Sequence, residues 1–101
     1  YLYLSDSSSD VWQLDQRNGA SYWKQTDLHQ RRLSMPAVYG DYVVVGDFEG
    51  YLHWLSKTDG RLLGRIEITD EPIVSQPVVV EDTLYVYATD GTLAAVRVLL
   101  F

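Results

Sequence analysis

Two imidazoles, His29 and His53, are the first side chains to weigh for chemistry. A zinc site needs three or four His, Cys or carboxylate ligands at workable spacing. The chain has no cysteine. His29 stands in a polar stretch and His53 beside Trp54 in an apolar run, so both read as rim or core residues. Asp6-Ser7-Ser8-Ser9-Asp10 concentrates oxygen ligands, as a calcium loop does. A helix–loop–helix calcium loop would also place Gly sixth and Glu twelfth. Val11 and Arg17 occupy those places, which favours a serine-rich hairpin turn. Asp70 and Glu71 are neighbours in a loop, without a cleft to perturb either carboxyl. No nucleophile elbow, phosphate-binding loop or dinucleotide fingerprint is present. No catalytic residue, metal ligand or cofactor site is therefore assigned.

The remaining candidates are residues that could grip a partner. His29-Gln30-Arg31-Arg32 is the one basic cluster. Arg is favoured at interface hot spots, and Arg31 and Arg32 are candidates for that role. Phe48 stands between Asp47 and Glu49 on what reads as an exposed hairpin tip, where an outward aromatic could anchor a partner. A formal net charge of −6 argues against sequence-independent nucleic-acid binding and against docking on anionic lipid by charge alone. Hydrophobic content of 47% supplies a core.

These residues are positioned by a repeat. Pro36 and Pro77, Gly50 and Gly91, and Gly19 and Gly60 are each 41 residues apart. Ser34, Val38, Asp41, Val45 and Leu52 match Ser75, Val79, Asp82, Val86 and Leu93 at the same offset, and Tyr1, Asp6 and Leu14 match Tyr42, Asp47 and Leu55. The apolar runs are short, punctuated by Gly, Asp and Pro, and show no helical periodicity. A period of this length built from short strands suggests propeller blades. The full unit is read as strands over 35–39, 42–46, 51–56 and 62–68. Glu49-Gly50, Asp59-Gly60 and Asn18-Gly19 are read as tight turns using left-handed backbone.

The expectation is an all-β chain, a partial β-propeller of four-stranded antiparallel blades, about two and a half in number. Residues 1–27 form a blade lacking its first strand, with strands at 1–5, 10–15 and 21–25. Residues 28–68 form a complete blade. Residues 69–101 form a blade lacking its outer strand, with strands at 76–80, 83–87 and 92–96. The apolar tail 98–101 is assigned to no strand. Val43-Val44-Val45, Val78-Val79-Val80 and Leu84-Tyr85-Val86-Tyr87 are apolar on both faces, so blades are expected to cover both. The chain opens inside a strand with no initiating Met, which suggests a piece of a longer protein.

Val11-Trp12-Gln13-Leu14-Asp15-Gln16-Arg17-Asn18-Gly19, followed by Tyr22-Trp23-Lys24, resembles the PQQ-type propeller repeat. Gly46-Asp47-Phe48-Glu49-Gly50-Tyr51-Leu52-His53-Trp54 resembles the late blades of the BamB family within that superfamily. Asp6 to Trp12 does too, and so does Trp23-Lys24-Gln25 leading through Leu28-His29 to Pro36. The resemblance extends to about Val96. It implies an eight-bladed, non-catalytic scaffold of the outer-membrane β-barrel assembly machinery, without cofactor. It implies BamA and incoming barrel precursors as partners. It also implies a place at the periplasmic face of the outer membrane, through an N-terminal lipid anchor outside this chain. None of the family's partner-contacting loops is carried onto this sequence. Gly64 stands where the repeat has Trp23, and Gln13 and Trp54 replace the small residue expected before Leu14 and Leu55. These departures disfavour one alternative, a fragment of a PQQ-dependent quinoprotein dehydrogenase; another ligand-binding propeller of this type is the other alternative.

Overall fold

The computed structural model describes residues 1–98. Among them, ten strands form three antiparallel sheets and no helix. The first sheet holds β1 (Leu2–Ser5), β2 (Val11–Leu14) and β3 (Ser21–Gln25). The second holds β4 (Ala37–Tyr39), β5 (Tyr42–Gly46), β6 (Tyr51–Ser56) and β7 (Leu62–Glu67). The third holds β8 (Val78–Val80), β9 (Thr83–Tyr87) and β10 (Leu93–Val96). Each is a meander in sequence order. Pro36 and Pro77 end the connections just before β4 and β8, where a residue without an N–H interrupts no ladder.

The repeat extends to irregularities. The ladder slips between Gln13 and Leu14 against β3, and between Trp54 and Leu55 against β7, at matching positions of the 41-residue period. Such a bulge bends the outer strand and increases its twist.

The hairpins differ from the tight turns expected at Glu49-Gly50, Asp59-Gly60 and Asn18-Gly19. Four residues separate β5 from β6, and the Gly50 N–H closes a turn onto the Asp47 carbonyl at 3.2 Å. At 16–19 and 57–60 the Gly19 and Gly60 N–H groups reach four residues back, to Asp15 and Ser56. Only the last residue of each loop takes left-handed backbone; Asn18 does not. A longer loop needs one such residue where a two-residue turn needs one or two.

The core lies between sheets. Sequence alternation sends Val43, Val45 and Leu55 towards the first sheet, where they meet Val11, Trp23 and the connection residue Leu28. Val44, Leu52 and Trp54 point the other way, towards Leu84, Val86, Ala88 and Ile73. The second sheet is thus covered on both faces, as its continuous apolar strands require. The third is covered on one face only. Val78, Val80, Tyr85, Tyr87 and Leu93 remain exposed on the other.

Polar bonds fix the sheet-to-sheet offset. Trp23 donates its indole N–H to the Lys57 carbonyl at 3.0 Å, and Gln25 Nε2 donates to the Gly60 carbonyl at 2.8 Å. A Cβ on Gly60 would overlap the Trp23 ring. Gly64 leaves Trp54 without the outer-strand tryptophan of the first sheet, and Trp54 instead stands edge-on to Tyr39 and Tyr42. On the far side Tyr39 Oη donates to the Asp82 carbonyl and accepts the Val98 N–H. The rest of the tail, 99–101, lies outside the described residues.

Candidate functional site

The hairpins after β1, β5 and β9 gather at one end of the sheets, where the connections 26–36 and 68–77 cross them. Each crossing is made by the backbone. The Phe48 N–H donates to the Arg31 carbonyl at 3.0 Å, and the Thr89 N–H donates to the Pro72 carbonyl at 3.0 Å. These two bonds are one period apart. Buried Leu28 and Ile73 pin the connections to the core. A Cβ on Gly46 would collide with Ile73, and one on Gly50 would collide with the Thr69 carbonyl. Glycine at those two places lets the second connection lie against the hairpin.

Asp47 organises the tip of the central hairpin. Its Oδ1 accepts the Glu49 N–H at 2.8 Å and the Tyr51 N–H at 3.0 Å. Its Oδ2 lies 2.6 Å from His53 Nε2 and 3.5 Å from Arg31 Nη1. Asp47 is fully buried and His53 nearly so. Burial pushes the Asp47 carboxyl up, but the bonds from His53, Tyr51 and Glu49 more than offset it and hold it below its ordinary value. An ionised carboxylate can only accept, so His53 Nε2 carries the proton between them.

The same device stands one period earlier. Asp6 Oδ1 accepts the Ser8 and Asp10 N–H groups at 2.9 and 3.0 Å, and Oδ2 accepts the Trp12 indole N–H at 2.8 Å. The Trp12 bond is the chief reason that its carboxyl is held below its ordinary value. In both hairpins the acceptor serves residues two, four and six places on. Asp6 is therefore a hairpin staple, in keeping with the serine-rich turn read there. The third unit has Ala88 and Ala94 at these places, and Asp90 supports its turn by accepting the Thr92 N–H at 2.9 Å.

The structure brings the three candidate partner residues together. The Arg32 guanidinium lies 4.9 Å from the Phe48 ring centroid. Arg31 meets Asp47 at 3.5 Å and Glu49 at 3.8 Å. Phe48 is 47% exposed and stands between two open clefts of about 400 Å³ each. One is walled by Asp6, Ser7, Ser9, Arg32, Leu33 and Val74, the other by Glu49, Tyr51, Glu67, Asp70, Glu71 and Pro72. Asp47, read from sequence as part of an exposed tip with Phe48 and Glu49, is instead buried beneath it. Its carboxylate replaces water as the acceptor for the turn's N–H groups, which an outward side chain could not do. His29 is exposed and away from the pair. Asp70 and Glu71 are exposed on the second cleft. Sequence reading missed the Asp47–His53 pair, although Asp6/Trp12 and Asp47/His53 share a six-residue spacing at the repeat offset. The arrangement offers surfaces for recognition, an aromatic ring with a stacked guanidinium and flanking charge. Among the described residues no three His, Asp or Glu cluster to hold a metal.

Comparison with known proteins agrees with this geometry. The family model of outer membrane protein assembly factor BamB matches residues 7–99. The assembly factor BamB of Shewanella oneidensis is 45% identical over 95 residues, 94% of this chain and 24% of that protein. Its counterpart in Escherichia coli is 36% identical over 94% of this chain. The chain thus spans about a quarter of the length of these relatives. The crystal structure of BamB from Moraxella catarrhalis superposes with a TM-score of 0.86 at 27% identity, over 95% of this chain and 28% of that one. A quinohemoprotein alcohol dehydrogenase of Pseudomonas putida superposes at 0.79 with 21% identity, a likeness of fold alone. The three sheets are blades of a β-propeller carrying the PQQ-like repeat, and the chain belongs to the family of outer membrane protein assembly factor BamB.

Proposed function

We propose that this chain forms part of a non-catalytic scaffold of the outer-membrane β-barrel assembly machinery. It works at the periplasmic side of the outer membrane of a Gram-negative bacterium. The family match across 7–99 carries the reading, because it spans the repeat and the hairpin tips alike. BamA is the proposed partner, with unfolded barrel precursors as transient ones. The blades are taken as 1–27, 28–68 and 69–101, the first lacking its inner strand and the third its outer one. They act by holding loops rigidly at one end of the propeller, where Arg31, Arg32 and Phe48 form the contact surface.

Support for that surface is physical. A half-exposed aromatic with a guanidinium stacked on it combines the residue types that dominate interface energetics. The backbone bond from Phe48 to Arg31 holds the hairpin and the connection that carries the arginines in one orientation. Capture of the full-length protein from outer-membrane extracts is expected to recover BamA, and Phe48→Ala with Arg32→Ala to weaken that recovery severalfold. Recovery without any barrel-assembly subunit would overturn the reading. So would robust dye reduction by the full-length protein supplied with PQQ and Ca²⁺.

A further inference from the structure

The two clefts that share Phe48 differ in charge: one sets Arg32 against Asp6, the other is lined by Glu49, Glu67, Asp70 and Glu71 with no cation in its walls. On one side Arg32 stacks on the ring and pairs with no carboxylate among the described residues. Asp6 lines the same cleft, but its carboxylate oxygens are taken up by the Ser8 and Asp10 N–H groups and the Trp12 indole, which leaves the Arg32 guanidinium as the group free to meet a ligand carboxylate. Exposed Val74 and half-buried Leu33 complete an apolar floor. Two residues lining this cleft, Ser9 and Arg32, hold left-handed backbone without being glycine. Conformations of that kind persist only where surrounding contacts enforce them, so the rim is pre-shaped. On the far side of Phe48, the cleft floored by Tyr51 and Pro72 carries Glu67, Asp70 and Glu71, which make no ion pair among the described residues. Arg65 lies 4.7 Å over the Tyr51 ring and forms a close ion pair with none of them.

We infer that Phe48 is the central anchor for an extended peptide segment that carries a carboxylate, an apolar side chain and a cation on one face. The apolar side chain sits on Phe48. The carboxylate meets Arg32, and the cation meets Glu67, Asp70 and Glu71. Alternate residues of an extended chain share a face, so the pattern falls at positions i, i+2 and i+4. The opposed charges set the direction in which the segment lies, since the reversed placement puts like charges together. This names the chemistry of the partner and rests on the scaffold reading above.

The test uses full-length protein and soluble peptides with Glu, Leu and Lys at alternate positions in a Gly/Ser background. Titration is expected to show binding by the Glu-Leu-Lys peptide, and weaker binding when Lys replaces Glu or Glu replaces Lys. Arg32→Glu is expected to weaken the first peptide by about tenfold, the scale of one hot-spot contact. The same variant should prefer the peptide in which Lys replaces Glu. Phe48→Ser should weaken all three, with an unchanged melting temperature to show that the exposed substitutions leave the fold intact. No saturable binding, or equal binding of all peptides by Arg32→Glu, would overturn the inference. Recovery of BamA is scored in parallel. Loss of BamA in these variants without peptide selectivity sinks the charge pattern and keeps the surface. Peptide selectivity with unchanged BamA recovery keeps the pattern and sinks BamA as the ligand of this surface.

Discussion

Asp47 is the side chain on which most depends. Removing it would leave two backbone N–H groups and His53 without their buried acceptor. Asp47→Ala is expected to cost the full-length protein about 3–5 kcal/mol in urea unfolding, the range for breaking a buried charged pair. Its pH dependence has a definite sign. The folded pKa is depressed, so the stabilisation is present above the unfolded value of about 3.9 and is lost as pH falls through the folded value. Acid titration should show a steep loss of stability below about pH 4 that is flattened in Asp47→Ala. Asp15, at the other end of the sheets, is held well below the usual carboxylate range, chiefly by the Arg17 guanidinium, with the Arg17 N–H and Tyr22 hydroxyl contributing. Its side chain is largely buried, so it should add to the same acid loss as pH falls below its unfolded value.

At the scale of strands and hairpins, the repeat allows one unit to be used as the control for another. Gly40 and Glu81 occupy matching turn positions with φ of 57° and 56°. A non-glycine residue in that region is strained by about 1–2 kcal/mol, partly offset by the greater freedom of unfolded glycine. Glu81→Gly is therefore expected to stabilise the full-length protein by about 0.5 kcal/mol, read as a higher urea midpoint at unchanged slope. The opposite case is Gly60→Ala. It forces a Cβ into the buried Trp23 ring at φ 76°, and should destabilise by about 2–4 kcal/mol while red-shifting tryptophan fluorescence as the ring is displaced towards water. The hairpin lengths could not be read from turn dipeptides alone. Asn-Gly and Asp-Gly favour two-residue turns locally, but Asp15 and Ser56 accept the closing N–H four residues on and lengthen the loops.

For the whole molecule, the decisive feature is the asymmetry between its sheets. Val43, Val44 and Val45 are fully buried, whereas Val78, Val80, Tyr87 and Leu93 are exposed on one face of an equally apolar sheet. Contiguous apolar faces of this kind mark contact surfaces. A neighbouring blade supplied by the remainder of the protein is expected to cover it. Leu93→Lys should then change stability by less than about 0.5 kcal/mol in the 101-residue chain alone, as an exposed substitution does. In the full-length protein it should cost more than about 2 kcal/mol. Equal small effects in both contexts would show that the face stays open.

The 41-residue period, the strand positions to within a few residues, and the propeller class were all present in the sequence, because they depend on local alternation and on glycine and proline at fixed offsets. Phe48 and Arg31-Arg32 could be picked out as an unusual aromatic and an isolated basic cluster. Their adjacency could not, since it arises from a connection folding back over a hairpin sixteen residues on. Nor could the burial of Asp47 beneath them. A carboxylate in a polar turn is ordinarily solvated, and only the arrival of His53, Arg31 and two N–H groups around one point makes it more favourable inside than out. What a chain writes in its own order is periodicity. Which charged groups share a buried point, and which rings face a cleft, is decided when separate strands and links are packed against each other.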